Sequence, residues 1–410
     1  MRILVIHQYY LGKNEGGGSR FNEMCKYWAE DGIDVTVIAG TVHYSTGAKD
    51  SKYKGKWNVL EKDGNVKVIR CFVSSAYNKN FLGRTFAYLS FLLSSIWAGL
   101  FHIGKVDTIV ATSPPLTVGL TAILLSFFKR APFIFEVRDL WPDSAIQTGV
   151  LKNKLLIKFS YWLENISYRK ARKIVVLTPA FEKYLLKKGI AAEKIALIPN
   201  AADLDLFKPG NKDNWVRKQY NLDKKFVVLY TGAHGKANAL TQLLETADLL
   251  KEYKDIVFML VGDGMEKPKL KEFAKNHGLN NIIFVDTQPK DRIADFINAS
   301  DVCTAVLKRL DVFKTVYPNK IFDYMACGKP IIIGIDGAAR ELIEKAQCGV
   351  FAEPENPERI KDAVLFFHSN RNLCKMYGNR GRKFVEAQMN RKIMAKRYEE
   401  LLKNVSKRNL

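Results

Sequence analysis

The stretch FVVLYTGAHGK, residues 226–236, decides the fold class because it joins an apolar strand to a glycine-rich turn. Residues 226–231 are apolar without regular polar alternation, which is typical of a strand buried on both faces. An amphipathic segment, residues 240–253, follows the turn. A buried strand, a turn and a helix form the repeating unit of a parallel α/β sheet.

Apolar runs of the same kind recur along the chain, with room for a helix between them. In the first half they are residues 3–7, 35–39, 66–71, 108–111, 133–137, 174–177 and 195–198, and in the second half residues 226–231, 256–262, 282–285, 302–307, 331–335 and 350–352. This alternation predicts two doubly wound α/β domains.

The boundary between these domains is expected near residues 199–225, where turn formers and polar residues have the composition of a linker. We therefore predict an N-terminal domain over residues 1–199 and a C-terminal domain over residues 200–389. A last helical stretch, residues 392–404, is too isolated to form a domain. We expect the helix within residues 390–410 to pack back onto the N-terminal domain.

The composition narrows the functional class. The 410 residues include 64 Lys and Arg against 42 Asp and Glu, a net charge of +22. A hydrophobic fraction of 47% excludes a disordered polyelectrolyte, and a charged fraction of 26% excludes a polytopic membrane protein. The positive excess predicts attraction to anionic lipid or phosphorylated small molecules, since no nucleic-acid-binding motif is visible. Six scattered cysteines without metal-site or disulfide spacing are typical of a reducing cytosol.

One segment, residues 86–103, runs for eighteen residues without Asp, Glu, Lys or Arg. Three interpretations are open: a membrane-spanning helix, a helix buried in the core, and a helix that lies in the bilayer interface. The later residues 151–194 contain eleven Lys or Arg against three Glu, including the cluster RKARK at residues 169–173. This charge is either a solvated helix face or a surface that docks on an anionic membrane.

Two glycine turns follow predicted strands. Residues 16–18 are three glycines that open a helix at Ser19 and Arg20, but the spacing is not GxGxxG and no acidic residue ends the second strand, so a dinucleotide site is disfavoured. The turn after residues 226–231 ends in Lys236, which predicts a diphosphate cradle of main-chain N–H groups and one mobile charge. For residues 16–18, a tight turn without chemical function is the alternative.

A possible metal motif has a simpler explanation. Asp203 and Asp205 match a DxD pattern, but they lie in the predicted linker, where an Asp-rich turn is the better interpretation. HExxH, GxSxG and P-loop motifs are absent from the sequence. The sequence therefore offers no motif for metal-dependent or nucleophilic hydrolysis.

Several separate segments together resemble glycosyltransferase family 4, whose members are retaining sugar transferases of the two-Rossmann GT-B architecture. The segments are IPNAAD (198–203), GDG (262–264), ASDV (299–302), PNKIFDYMACGKP (318–330) and EVRDLWPDS (136–144). The last of these resembles the L-fucosamine-transferase-like subgroup, which builds O-antigen and capsule repeat units on a lipid carrier.

The resemblance implies an α/β GT-B fold, two Rossmann-like doubly wound domains facing a central cleft. It also implies that a nucleotide diphosphate leaves the anomeric carbon of a donor sugar, stabilised by positive groups and N–H donors without a metal. We expect Lys236 and the backbone of residues 315–318 in this role, with Lys320 either assisting or serving as a structural lysine. The acceptor hydroxyl then attacks from the face that the phosphate leaves, and that phosphate takes its proton.

The family's Glu-x7-Glu pair is altered in this chain. Asp323 stands where the second Glu would hydrogen-bond the nucleotide ribose, and Thr315 stands where the first Glu would contact the donor sugar. Either Thr315 with nearby backbone groups makes that contact, or Asp311 approaches from one turn away.

The resemblance and the turns together define the expected site. The catalytic residues are Asp139, Lys236 and Thr315, although Asp139 has the alternative role of a helix N-cap. The residues expected to bind the donor are Gly17, Gly18, Gly232, Gly262, Asp263, Val316, Tyr317, Pro318, Asn319, Lys320 and Asp323. The residues expected on the acceptor side are Arg20, Glu136 and Arg138, and no metal ligand is predicted.

The resulting prediction is a retaining glycosyltransferase that moves a sugar from a UDP-sugar to a polyprenyl-diphosphate-linked saccharide in O-antigen or capsule assembly. The sugar that the subgroup resemblance implies is an N-acetylated deoxyhexosamine. No cofactor is expected. The expected partners are the donor, the lipid-linked acceptor and an anionic membrane surface, but not nucleic acid. The expected location is cytoplasmic, peripheral on the inner face of the plasma membrane. Two alternatives stay open: a non-hydrolysing UDP-sugar epimerase and a non-catalytic basic membrane-binding protein.

Overall fold

The computed structural model describes residues 1–12, 20–43, 47, 49–78 and 81–407. The chain divides into two compact units. The first unit comprises Met1–Pro199 together with the chain from Lys392, and the second comprises Asn200–Arg391.

An eight-stranded sheet forms the first unit, with strand order β3-β4-β2-β1-β5-β6-β7-β8. The strands are β1 (Arg2–Ile6), β2 (Asp34–Gly40), β3 (Asn58–Asp63), β4 (Val66–Cys71), β5 (Thr108–Ser113), β6 (Phe133–Val137), β7 (Lys173–Val176) and β8 (Ile195–Leu197). The helices are α1 (Arg20–Glu30), α2 (Phe81–Phe101), α3 (Thr117–Lys129), α4 (Asp143–Gln147), α5 (Lys154–Lys170) and α6 (Pro179–Lys187).

The strands of this sheet that the apolar runs predicted pair in parallel. β5 and β6 are buried at every position, as expected for strands covered on both faces. The sequence did not predict β3, which pairs antiparallel with β4 at the sheet edge. Its sequence, NVLEKD, alternates half-buried and exposed positions over much of its length, so it lacks the continuous apolar run of an inner strand.

A six-stranded, all-parallel sheet forms the second unit, with strand order β11-β10-β9-β12-β13-β14. The strands are β9 (Phe226–Thr231), β10 (Ile256–Val261), β11 (Ile282–Val285), β12 (Val302–Val306), β13 (Ile331–Gly334) and β14 (Gly349–Phe351). The helices are α7 (Trp215–Gln219), α8 (Thr241–Leu249), α9 (Lys267–Asn276), α10 (Lys290–Ala299), α11 (Asn319–Ala326), α12 (Ala338–Ala346), α13 (Pro357–Ser369) and α14 (Arg371–Gln388).

The predicted linker, residues 199–225, is part of the second unit rather than a free connection. The division between the units falls after Pro199. Phe207, Val216 and Leu222 are buried in the core of the second unit. Composition suggested a linker because polar residues dominate the segment, whereas a few spaced apolar side chains decide its packing.

The last helix of the chain, α15 (Arg391–Lys407), belongs mostly to the first unit. The Trp28 indole Nε1 donates to the Ala395 carbonyl oxygen at 2.9 Å, and the rings of Trp28 and Tyr398 lie 5.2 Å apart. These contacts join α15 to α1.

Residues 86–103 form most of α2, and the serines of this helix face the protein. Ser94 Oγ donates to the Phe72 carbonyl oxygen at 2.8 Å, and Ser95 shares a hydrogen bond with Thr121 at 3.0 Å. Phe91 is buried on the same side. Within the part of the chain that the structure describes, no helix combines the length and apolarity needed to span a bilayer.

The six cysteines are free thiols in the structure, and five of them are buried.

Candidate active site

The turns that follow β9 and β10 lie against each other at the carboxyl edge of the second sheet. The Gly232 N–H donates to the Val261 carbonyl oxygen at 2.9 Å. A Cβ at Gly262 would overlap the Gly232 carbonyl, and a Cβ at Gly264 would overlap the His234 backbone. Both positions also have φ above +140°, where side chains are strained. Turn-on-turn packing therefore requires Gly262 and Gly264 independently of any ligand.

Lys320, at the start of α11, reaches the same turn. Its Nζ lies 2.9 Å from the position that a Cβ would take at Gly232 and 3.6 Å from the centre of the Tyr230 ring. Among the described residues, no carboxylate lies within ion-pair distance of this ammonium, and burial lowers the pKa of Lys320 to about 7. A cation without a counter-charge beside a glycine turn is suited to hold an anion.

Main-chain donors precede Lys320. Val316 is extended, and α11 begins at Asn319 after Pro318. Within the described residues, the N–H groups of Val316, Tyr317, Asn319 and Lys320 have no hydrogen-bond acceptor. Unpaired amides at a helix N-terminus favour negative charge, so the predicted backbone donors are available to a phosphate.

The residues of the altered Glu-x7-Glu pair lie on either side of these amides. Asp323 lies one turn beyond Lys320 and is half-buried. Thr315 ends a 3-10 turn, and its hydroxyl donates to the carbonyl oxygen three residues earlier at 2.6 Å. Asp311 is exposed and forms an ion pair with Lys314 at 2.8 Å, which lowers the pKa of the Asp311 carboxyl. Both candidates for the role of the missing Glu are thus engaged locally, Thr315 by a carbonyl oxygen and Asp311 by an ion pair.

The lysine that the sequence placed first in the diphosphate site is not the one that reaches Gly232. Lys236 is exposed, lies in a short 3-10 turn and lines a cavity of about 610 Å³ together with Lys308. Asp263 is also exposed, and its carboxylate accepts the N–H of the next residue at 2.8 Å. The structure brings Lys320 to the glycine turn instead.

Two residues near these turns were not anticipated. His234 is buried, and neither ring nitrogen has a hydrogen-bond partner among the described residues. Burial and the charges of Lys267 and Lys320 lower the pKa of His234 to about 4, so the ring is neutral near pH 7. The Lys267 ammonium donates to the Gly262 carbonyl oxygen at 2.8 Å and to Asp286 at 2.6 Å, which joins the ends of β10 and β11. The sequence shows His234 in the motif GAHGK, so that residue could have been noticed. The pairing of Lys267 with Asp286, 19 residues later, could not be predicted from the sequence.

In the first unit, the structure pairs two of the expected acceptor-side residues with each other. Arg20 and Glu136 are both buried, and Arg20 Nε lies 3.1 Å from Glu136 Oε1. Arg20 also donates to the carbonyl oxygens of Ile198 and Pro199. These contacts join α1 and β6 to residues 198–199, the last residues before the division between the units. The acceptor-side role of Arg20 and Glu136 stays a prediction.

Asp139 and Arg138 lie just beyond β6, at its carboxyl end. The Ser144 hydroxyl donates to Asp139 Oδ2 at 2.9 Å. Burial raises the pKa of Asp139, although the hydrogen bonds from Ser144 and from the Leu140 amide oppose this shift. Arg138 contacts the buried His7, whose pKa is lowered by burial and by the Arg138 charge. Asp139 does not cap α4, whose first residues follow Pro142 without a side-chain cap.

Gly17 and Gly18 lie outside the described residues. Asp203 Oδ1 accepts the N–H of Asp205 at 3.1 Å and of Leu206 at 3.2 Å, which is the Asp turn preferred over a metal motif. Among the described residues, no cluster of three or more His, Cys, Asp or Glu side chains could hold a metal ion.

A mixed sheet that is parallel except at one edge strand and a second, all-parallel sheet define a two-Rossmann α/β class of protein. Comparison with known proteins agrees with this class. Residues 211–384 match the family model "Glycosyl transferases group 1", and residues 15–201 match "Glycosyl transferase 4-like domain". The putative colanic acid biosynthesis glycosyl transferase WcaI of Escherichia coli K12 is 24% identical over 93% of this chain and 96% of its own.

Two further proteins extend the comparison. The Campylobacter jejuni N,N'-diacetylbacillosaminyl-diphospho-undecaprenol alpha-1,3-N-acetylgalactosaminyltransferase is 23% identical over 70% of this chain and 74% of its own. The structure of Anabaena HepE in complex with UDP-glucose superposes with a TM-score of 0.73 at 17% identity, covering 98% of this chain and 100% of that one. The chain is therefore a glycosyltransferase with the GT-B fold.

Proposed function

We propose that this glycosyltransferase takes a sugar from a UDP-sugar donor and retains the configuration of its anomeric carbon. The observation that carries the proposal is the Lys320 ammonium, held beside Gly232 without a carboxylate partner among the described residues. A diphosphate bound there would stabilise the charged form of Lys320, which burial disfavours. UDP as the nucleotide is supported by the likeness to HepE, whose structure contains UDP-glucose.

The charges of the second unit suit the departure of a diphosphate. As the bond to the anomeric carbon breaks, negative charge grows on the leaving phosphate, where Lys320 and the N–H groups of Val316 and Tyr317 would stabilise it. Asp323 would hydrogen-bond the ribose, and Asp139 would bind the acceptor hydroxyl or the donor sugar. The acceptor hydroxyl attacks from the face that the phosphate leaves and gives its proton to that phosphate. We propose that the reaction needs neither a metal nor another cofactor.

We further propose a lipid-linked saccharide as the acceptor, in the assembly of a cell-surface polysaccharide such as O-antigen or capsule. The names of WcaI and of the Campylobacter enzyme support this acceptor class, since the second names a diphospho-undecaprenol carrier. An N-acetylated deoxyhexosamine as the donor sugar rests on the resemblance of residues 136–144. The proposed location is cytoplasmic, at the inner face of the plasma membrane, where such an acceptor would be presented.

The test is a panel of UDP-sugars offered with polyprenyl-diphosphate-linked acceptors, read by product mass and anomeric configuration. We expect one donor to give a product of unchanged configuration, with and without EDTA. Lys320→Met should abolish transfer, whereas Lys251→Met, a change at an exposed lysine paired with Asp248, should not. An inverted product would reject retention, and loss of activity in EDTA would reject metal independence. Formation of an epimerised UDP-sugar in the absence of acceptor would favour the epimerase alternative over sugar transfer.

A further inference from the structure

The helix α2 presents a row of large apolar side chains to solvent. Phe86, Leu89, Leu93, Trp97 and Phe101 recur at three- and four-residue steps, which places them on one helix face, and all are exposed. The opposite face carries the buried residues of the helix, so the exposed row is not part of the core of the described chain.

Two neighbouring helices extend this row. α3 packs on α2 so closely that a Cβ at Gly99 would overlap Leu125, and α5 packs on α3 so closely that a Cβ at Gly119 would overlap Ser167. We call the exposed apolar residues of these three helices the apolar three-helix face: Phe86, Leu89, Leu93, Trp97, Phe101, Leu124, Phe127, Phe128, Leu155, Phe159 and Trp162.

The apolar three-helix face is a concentration and not a random scatter. It holds eleven of the twenty-one exposed large apolar side chains of the described residues, with exposures from 40% at Leu124 to 78% at Leu155. Monomeric soluble proteins rarely leave so many apolar side chains together in water. Five of the eleven are Phe, and two are Trp, which favours the boundary between headgroups and acyl chains.

The charges around this face have one sign. α2 and α3 contain no acidic residue, and Glu164, the acidic residue of α5, is buried and paired with Lys188. Lys154 and Lys158 are exposed next to Leu155 and Phe159 in α5. The surface would therefore repel a basic partner and attract an anionic one.

A basic cavity of about 710 Å³ lies at the end of α3 and α5. The cationic residues that line it are Arg130, Arg169, Lys170, Arg172, Lys173 and Lys194, against one acidic residue, Glu193. Among the described residues, the guanidinium groups of Arg130, Arg169 and Arg172 have no ion-pair partner. Arg130 directly follows the helix that ends with Phe127, Phe128 and Lys129, so cations and exposed aromatic rings are adjacent.

We propose that the apolar three-helix face and the basic cavity together dock the first unit on an anionic lipid bilayer. The aromatic and leucine side chains enter the interfacial region, and the cavity arginines bind headgroup phosphates. The inference extends the proposed function by naming the surface that meets the membrane of the lipid-linked acceptor. Docking is measured without sugar nucleotide or acceptor, so its failure is distinguishable from a failure of the proposed reaction.

The test is sedimentation of the full chain with vesicles of phosphatidylcholine alone and with about one-third phosphatidylglycerol. The wild-type chain should bind the anionic vesicles, and added salt should weaken binding. Arg130→Gln/Arg169→Gln/Arg172→Gln should lower the partition coefficient on anionic vesicles about a hundredfold, at about fivefold for each cation. The matched control Lys251→Gln/Lys269→Gln/Lys275→Gln, which removes three exposed lysines of the second unit, should bind like the wild type.

The apolar contribution is tested separately. Trp97→Ser/Phe127→Ser/Phe128→Ser should lose binding even at low salt, whereas Leu249→Ser/Met265→Ser, which alters exposed apolar residues of the second unit, should not. Brominated lipid should quench tryptophan fluorescence of the wild type more than that of Trp97→Phe. Equal losses in test and control variants would overturn the proposal, as would failure to bind anionic vesicles. A dimer that light scattering detects and that the apolar variant dissolves, without vesicle binding, would assign the face to a second copy of the chain.

Discussion

The pKa of Lys320 makes donor binding depend on pH in a calculable way. Burial lowers this pKa to about 7, so about nine-tenths of the side chains are charged at pH 6 and about one-tenth at pH 8. If the diphosphate binds the charged form, the apparent dissociation constant is divided by the charged fraction and rises about tenfold from pH 6 to pH 8. The diphosphate of a UDP-sugar is a diester without a titrating proton in this range.

The assay is isothermal titration calorimetry with UDP-glucose and UDP-N-acetylglucosamine at pH 6, 7 and 8 and constant ionic strength. Lys320→Arg provides the control, because its guanidinium stays charged and should remove the pH dependence. The ring of His234 does not interfere, since its pKa of about 4 lies below this range. A wild-type affinity that is constant or rises with pH would refute the reasoning, and so would an equal pH dependence in Lys320→Arg.

The same lowered pKa predicts a stability effect of opposite sign. Between about pH 7 and the ordinary lysine pKa, the unfolded chain binds the Lys320 proton more strongly than the folded chain does, so the free energy of unfolding rises with pH across that window. Below about pH 7 both states are protonated, and the folded state bears the full cost of burying the charged lysine. Without nucleotide, Lys320→Met should therefore raise the thermal midpoint at pH 7. The same change should weaken binding of the UDP-sugar donor. A lower midpoint would mean that Lys320 supports the fold instead.

Three other changes test the roles assigned above. Asp323→Ala should weaken UDP binding about tenfold or more, measured by the same calorimetric titration, because it removes a charged hydrogen bond to the ribose. The control Asp291→Ala, at an exposed acid of α10, should leave UDP binding unchanged. Gly262→Ala should destabilise the second unit by about 2 kcal/mol or more in urea unfolding because of the overlap with Gly232. The control Gly278→Ala, also at positive φ but with open space around it, should cost only about 1–2 kcal/mol. Equal losses of stability in the two variants would contradict the role of Gly262 in packing the two turns. Glu136→Gln should lower stability by about 3 kcal/mol because it leaves Arg20 buried without its counter-charge, and a change confined to acceptor KM would instead restore an acceptor-side role.

The inner strands of both sheets could be predicted from the sequence because parallel strands covered on both faces must be apolar at nearly every position. β9, predicted over residues 226–231, has those bounds in the structure and is buried throughout. β3 could not be found in this way, since an edge strand keeps one side in water and its composition resembles that of a loop.

The glycine turns of the second unit could also be predicted, but not which lysine lies beside Gly232. Glycines after a strand mark the carboxyl edge of a sheet, and Gly232 and Gly262 lie there in the structure. Lys236 is the nearest lysine in sequence, yet Lys320, 88 residues after Gly232, is the one that approaches the turn. Sequence proximity does not reveal this, because the position of Lys320 depends on the packing of α11 against β12 and β13.

Two α/β units, their glycine turns and the apolar character of α2 follow from the amino-acid sequence alone, because burial on both strand faces and the backbone freedom of glycine are local requirements. The pairing of Arg20 with Glu136, 116 residues away, is visible only in the tertiary structure. The same holds for the orientation of α2, whose serines point inward while Phe86, Trp97 and Phe101 point outward. Such outcomes depend on which surfaces meet when distant segments pack, and a polar or charged side chain shows its partner only after that packing is known.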